Sequence, residues 1–149
     1  MRAPIVVLTA VILGLLVQPI AAAADPAADA KVVAQATGGR LKALTGRVFD
    51  EGCGTEVDYQ AEVIDLNGDG KPEVFTRLLG GCFGMAGVQM DLLVQGKDGQ
   101  WKSQFNFPGD YTVLETKHLG YPDIEIGGPG VCFPVWRWSG TAYDIHKKC

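Results

Sequence analysis

The chain is most informative first in what it has little of. Positive charge is scarce: 13 Lys+Arg stand against 17 Asp+Glu, a formal net charge of −4. That balance offers no electrostatic footprint for nucleic acid. Histidine is almost missing, with two copies, and neither His118 nor His146 has the sequence surroundings of a general base. No CxxC, GxSxG, HExxH, P-loop or dinucleotide fingerprint occurs, so the common metalloprotease, hydrolase, redox and nucleotide chemistries find no anchor. The chain reads as a non-enzyme. Beyond residue 45 no stretch has convincing helical periodicity, and no internal repeat is visible. With 47% hydrophobic and 20% charged residues the chain is nonetheless not a disordered one.

The one long apolar run lies at the start. Arg2 is the only charge before Asp25, Ile5 to Val17 is nearly continuous hydrocarbon, and Ala21–Ala24 supply small residues ahead of the first acid. A basic n-region, an apolar h-region and an A-x-A site make a secretory signal. Its 13 apolar residues fall short of the roughly 20 a membrane span needs, which disfavours the alternative of an uncleaved anchor. No Cys stands at the cleavage site to carry a lipid. Residues 1–24 are therefore the expected signal peptide, 25–46 a helical lead-in and 47–149 an all-β domain. The exported product is acidic, having lost one Arg and no acid with its leader. A periplasmic or secreted location follows, with no membrane span after cleavage and no nucleic-acid partner.

Within the lead-in, Ala27–Ala36 is rich in helix formers and Gly38-Gly39 stops it. Leu41–Leu44 is expected to add a turn. Strand-like runs then recur: 57–64, 73–79, 88–94, 101–105, 111–114, 123–126, 131–138 and 141–147. NGDG, GG, GKDG, FPGD, LGYP, GGPG and SG punctuate them. Short strands with turns every 8–12 residues read as an antiparallel meander closing into a sandwich or a partly open barrel.

Four cysteines in an exported chain read as two disulfides. Register identifies one. Setting Trp138 opposite Tyr143 across Ser139–Ala142 places Trp136 opposite Ile145, Arg137 opposite Asp144 as an ion pair, Val135 opposite His146, and Cys132 opposite Cys149. Cys132–Cys149 is therefore expected, and Cys53–Cys82 by elimination. In the same run, GGPGVCFPVWRW, Phe133, Trp136 and Trp138 suit either a carbohydrate-stacking surface or, more simply, the core.

The strongest chemical signal is DLNGDGKPE. Asp65, Asn67 and Asp69 are spaced two apart, Gly68 and Gly70 permit positive φ, Lys71 offers a backbone carbonyl, and Glu73 supplies a last carboxylate. Oxygen-only donors on a flexible loop suit Ca²⁺. An EF-hand would need Glu at position 12, where Thr76 stands. The alternative is a plain Asn-Gly/Asp-Gly hairpin turn. Over about 12 residues the loop resembles the DxNxDGxxE/D calcium hairpins of FG-GAP-type and related bacterial secreted proteins. That resemblance implies a largely structural Ca²⁺ held by Asp65, Asn67, Asp69, Lys71 and Glu73.

A second string, Ser139-Gly140-Thr141-Ala142-Tyr143, contains SGxxY. It resembles the loop by which bacterial periplasmic lysozyme inhibitors enter the enzyme's cleft. With the signal peptide, calcium hairpin and late aromatic hairpin, the chain is similar to calcium-carrying relatives of the invertebrate-type lysozyme inhibitors, including immunity proteins against secreted peptidoglycan hydrolases. The resemblance implies an inhibitor or immunity protein that plugs a hydrolase cleft, with Ser139, Gly140 and Tyr143 as partner-binding residues. The alternative for SGxxY is an ordinary hairpin turn, with Tyr143 packing on the strand face it shares with Trp138. The competing expectation is a secreted adhesion or ligand-binding module in which the calcium loop is purely architectural.

Overall fold

The computed structural model describes residues 25–128, 130 and 132–149. The expected signal peptide, Pro129 and the expected strand start at Val131 lie outside the described residues.

Asp25, the first described residue, is a helix cap, its carboxylate accepting the Ala27 N–H (3.0 Å), with a proline at the first helical position. Helix α1 runs Pro26–Ala36 and ends where Gly38 and Gly39 take positive φ. No further turn forms at 41–44; Leu41 is instead buried beneath the helix side of the first sheet. The first strand starts within the expected lead-in, at Thr45.

Ten strands follow: β1 Thr45–Asp50, β2 Thr55–Ile64, β3 Glu73–Leu79, β4 Val88–Gln95, β5 Trp101–Ser103, β6 Phe107–Pro108, β7 Asp110–His118, β8 Tyr121–Gly127, β9 Val135–Trp138 and β10 Tyr143–Lys147. The strand runs expected from the sequence include neither β1 nor β6, and the short 3₁₀ segment Gly81–Ala86 is not among the expected elements. All pairings are antiparallel. β1 to β5 form one sheet in chain order, with β6 also on β4, and β7 to β10 form a second. The fold is an all-β sandwich of two meanders rather than a barrel.

Alternation along β3 explains a three-layer build. Val74 and Leu78 face α1, meeting Val33, Ala36, Val57 and Tyr59. Phe75 faces the second sheet, where Met90, Leu92 and Val94 of β4 meet Ile124, Ile126, Trp138 and Tyr143. A strand covered on both faces must be apolar on both, which is why EVFTRLL hardly alternates.

The register expected for the last hairpin is realised at Tyr143–Trp138, Asp144–Arg137 and Ile145–Trp136. It then shifts: a bulge brings Lys147, not His146, opposite Val135. Strand β9 begins only at Val135, because Pro134 before it has no N–H to give the ladder. The disulfide forms all the same, with Cys132 and Cys149 Cα atoms 5.4 Å apart, and Cys53–Cys82 closes at 5.5 Å. Two disulfides are compatible with an oxidising compartment. Among the described residues no helix is long and apolar enough to cross a membrane.

The two bridges share a location. Cys53 is in the β1–β2 turn and Cys82 in the β3–β4 connection; Cys132 is in the β8–β9 connection and Cys149 ends the chain. All four lie at one pole of the sandwich. The opposite pole carries the β2–β3, β4–β5, β7–β8 and β9–β10 turns and no covalent cross-link.

Candidate functional site

That second pole gathers both motifs singled out in the sequence. The β2–β3 turn is the DLNGDGKPE loop, and its shape is set by its own acids. Asp65 Oδ1 accepts the N–H groups of Gly68 (2.8 Å) and Asp69 (3.1 Å), and Oδ2 accepts that of Gly70 (2.9 Å). Asn67 Oδ1 takes the Asp69 N–H and Asp69 Oδ1 the Lys71 N–H, both at 2.8 Å. Gly68 (φ +77°) and Gly70 (φ +82°) supply the left-handed steps that curl the backbone around Asp65.

Glu73 behaves differently. It opens β3, is 2% exposed, and lies beneath the loop. Its Oε2 accepts the Leu66 N–H (2.8 Å), seating Leu66 in the core, while its Oε1 accepts the Tyr121 hydroxyl of the second sheet (3.0 Å). Burial pushes its carboxyl above the usual glutamate range. The Leu66 and Tyr121 hydrogen bonds oppose that rise, and repulsion from Asp69 and Asp65 adds to it.

Does this donor set suit a hard cation? Three carboxylates and an amide oxygen lie within nine residues, with a carbonyl at Lys71. Among the described residues no Lys, Arg or His nitrogen comes within 4.0 Å of the carboxylates of Asp65, Asp69 or Glu73. An all-oxygen, negatively charged loop without a basic partner fits Ca²⁺. The carboxylates are held apart by their backbone hydrogen bonds, and no ready-made group of three Asp, Glu, His or Cys side chains is present among the described residues. Coordination would therefore need Asn67 and the Lys71 carbonyl as well as the acids.

The SGxxY turn lies alongside. Ser139 and Gly140 are exposed, and Ser139 closes the turn: its hydroxyl donates to the Ala142 carbonyl (2.8 Å) and accepts the Ala142 N–H (3.3 Å). Tyr143 corrects the expectation that it projects as a contact residue. It is 3% exposed, its hydroxyl donates to the Pro122 carbonyl (2.9 Å), and its ring meets Trp138 and Phe105. Burial raises its pKa, most strongly among the causes. The physical reason is alternation: as the partner of Trp138, Tyr143 must share its inward face. The stacking surface is dispersed for the same reason. Trp138 is buried and Trp136 packs edge-on against Phe105, leaving only Phe133 appreciably exposed, at the other pole.

A residue that sequence patterning did not single out completes the rim. The β7–β8 connection is a two-residue turn, Leu119-Gly120, between the pair His118 and Tyr121. Leu119 takes φ +50° and is 63% exposed, with its side chain over Gly140 of the neighbouring turn. Positive φ at both central positions calls for Asn-Gly, not Leu-Gly. The breach of turn chemistry in LGYP was the available signal. His118 Nδ1 meets the Trp138 carbonyl at 2.9 Å and ties the two turns together.

The Asp65–Glu73 loop, the β4–β5 turn and the β9–β10 turn border a cleft of about 540 Å³. Tyr121 and Trp138 contribute to its floor, Asp69 and Lys71 to one wall, and Lys97 and Thr141 to others. No protein-family model, curated protein or solved structure matches the chain.

Proposed function

We propose that the chain is an exported, calcium-holding binding protein of the periplasm, and that it acts as an inhibitor or immunity protein for a peptidoglycan hydrolase. The observation that carries this reading is the convergence of the DLNGDGKPE loop with the Ser139–Ala142 turn around one cleft, at the pole free of disulfides. Asp65, Asn67, Asp69, the Lys71 carbonyl and Glu73 would hold the cation, which contributes order to the loop rather than reaction chemistry. The recognition edge is Ser139, Gly140 and Leu119. Tyr143 supports that edge from within the core and does not touch the partner. An exposed leucine held in an unfavourable backbone conformation is the mark of a residue kept for contact. A rigid edge lowers the ordering cost of binding, and the acidic net charge favours encounter with a basic enzyme.

The test is inhibition of cell-wall lysis by lysozyme-type hydrolases in calcium, read as turbidity and as complex formation. Inhibition is expected, and Leu119→Arg combined with Ser139→Arg should weaken it at least tenfold. The cleft itself favours the second reading, a secreted ligand-binding module. Retention of soluble glycan or peptidoglycan fragments, with no effect on any hydrolase, would select it.

A further inference from the structure

At the turn-bearing pole the first sheet reaches the second through the Tyr121 hydroxyl on Glu73 Oε1 (3.0 Å). Glu73 is the only one of the loop's three carboxylates with a hydrogen bond to the second sheet among the described residues. Its other oxygen holds the loop at Leu66. The Asn67 side chain lies close to the same Tyr121 hydroxyl, so two of the candidate cation donors bracket it.

From Tyr121 two contacts lead to the recognition edge. Its ring lies 4.5 Å from that of Trp138, centroid to centroid, and 6.2 Å from that of Tyr143. Its backbone pairs with His118, closing the Leu119-Gly120 turn, and His118 in turn meets the Trp138 carbonyl. One residue therefore joins the loop and the strand that leads into Ser139 through its side chain, and the β7–β8 turn through its backbone.

We infer that Tyr121 is the positioning residue through which the Asp65–Glu73 loop orders the Leu119/Ser139 edge, so that a cation in the loop is felt at the recognition edge. The inference rests on the calcium reading above and deepens it by naming its regulation. Its physical basis is geometric. Glu73, a candidate cation donor, holds the loop at Leu66 through one carboxylate oxygen and Tyr121 through the other, so a cation that fixes the Glu73 side chain fixes the Tyr121 contact with it. Tyr121 then fixes Trp138 and the turn beyond it.

The experiment uses the exported, oxidised protein labelled with 5-fluorotryptophan, whose three tryptophans give three ¹⁹F resonances. Calcium chloride is titrated into chelator-treated protein and followed by ¹⁹F NMR and calorimetry in parallel. In the wild type, calcium binds and the Trp138 resonance shifts. Tyr121→Phe is expected to bind calcium within about threefold of wild type and to lose the Trp138 shift. Tyr111→Phe removes another hydroxyl that crosses between the sheets, to Glu62 (2.9 Å), but away from the loop; it should keep the shift. A measurement on unmutated protein stands beside these. Calcium should slow hydrogen exchange at least tenfold at the Ser139 N–H, which bonds to the Ala142 carbonyl (2.8 Å). Calcium binding without a change at Trp138 or Ser139, or an undiminished shift in Tyr121→Phe, overturns the coupling and leaves the calcium reading intact. A wild type that gives no calorimetric response to calcium overturns the calcium reading and the coupling with it.

Discussion

Leu119 has the least favourable local conformation for its side chain among the residues of the recognition edge, and that gives it a measurable signature. A branched side chain at φ +50° costs about 1 kcal/mol relative to a residue that tolerates the left-handed region. Leu119→Asn is therefore expected to raise stability by about 1 kcal/mol in urea unfolding, while lowering affinity for the partner. A substitution that stabilises and disarms at once separates a contact role from a packing role. A stability loss in Leu119→Asn would contradict the assignment.

Two other single residues set the pH response, with opposite signs. Asp123 is buried on the outer side of the second sheet and takes a bidentate pair of bonds from Arg137 (2.9 and 2.7 Å) and one from Thr116 (2.7 Å). The Arg137 hydrogen bonds, the largest cause, hold its carboxyl below the usual range. Its contribution to stability is present above the unfolded-state value and is lost as pH falls through the lower, folded-state one. Asp91, half-buried and accepting the Phe105 N–H, is raised chiefly by desolvation, so its contribution is present at low pH and is lost as pH rises through its folded value. In chelator-treated protein, Asp123→Asn should flatten the acid limb of the Tm–pH curve. Asp91→Asn should flatten the decline above the ordinary aspartate range.

At the scale of elements, what could be read in advance depended on how local the determinant was. The 73–79 strand was bounded correctly because NGDGKP before it and GG after it are turn chemistry. The Trp138–Tyr143 register followed from the opposite charges of Arg137 and Asp144 and from a shared aromatic face, all within one hairpin, although the Arg137 guanidinium pairs with Asp123 of β8 and not with Asp144. The bulge near His146, the late start of β9 and the two-residue strand β6 depend on contacts distant in sequence, which periodicity does not report. The candidate site divided in the same way. Asp65, Asn67 and Asp69 were legible as a loop, but the role of Glu73 as a link between sheets depends on Tyr121, 48 residues away. Tyr143 was legible both ways: the SGxxY string makes it a contact residue, whereas its register opposite Trp138 places it on the inward face, where it is found.

Two elements make the layers testable. Val33, the fully buried contact of α1, should cost about 2 kcal/mol as Val33→Ala, near the low end of core truncations. Gly109 stands where the chain crosses from one sheet to the other. It has φ +145°, and a Cβ there would sit 2.7 Å from the Gly127 carbonyl oxygen. Gly109→Ala should destabilise by about 2 kcal/mol or more, with the loss seen in both sheets by hydrogen exchange.

For the whole molecule, the division into poles predicts independent responses. Removing a disulfide should cost about 2–4 kcal/mol. Since Cys132–Cys149 sits at the far pole, Cys132→Ser with Cys149→Ser should lower Tm yet leave calcium affinity within about threefold of the parent, measured by calorimetry. A collapse of calcium binding in that variant would show that the poles are mechanically one. Each bridge also lies within a single sheet, so the sheets are joined by the apolar core between them and by cross-sheet contacts such as Phe75 stacked on Tyr111 (3.7 Å), Arg77 with Asp110 (2.8 Å), Tyr111 with Glu62 (2.9 Å) and the Glu73–Tyr121 bond.

The placement of the bridges has a consequence for biogenesis. Four cysteines allow three pairings, and this protein uses the one in which first joins second and third joins fourth, across 29 and 17 residues. Under the proposed export, a chain entering an oxidising compartment N-terminus first presents Cys53 and Cys82 before Cys132 arrives. The order of emergence would then favour the native pairing, with no disulfide isomerase needed to reach it.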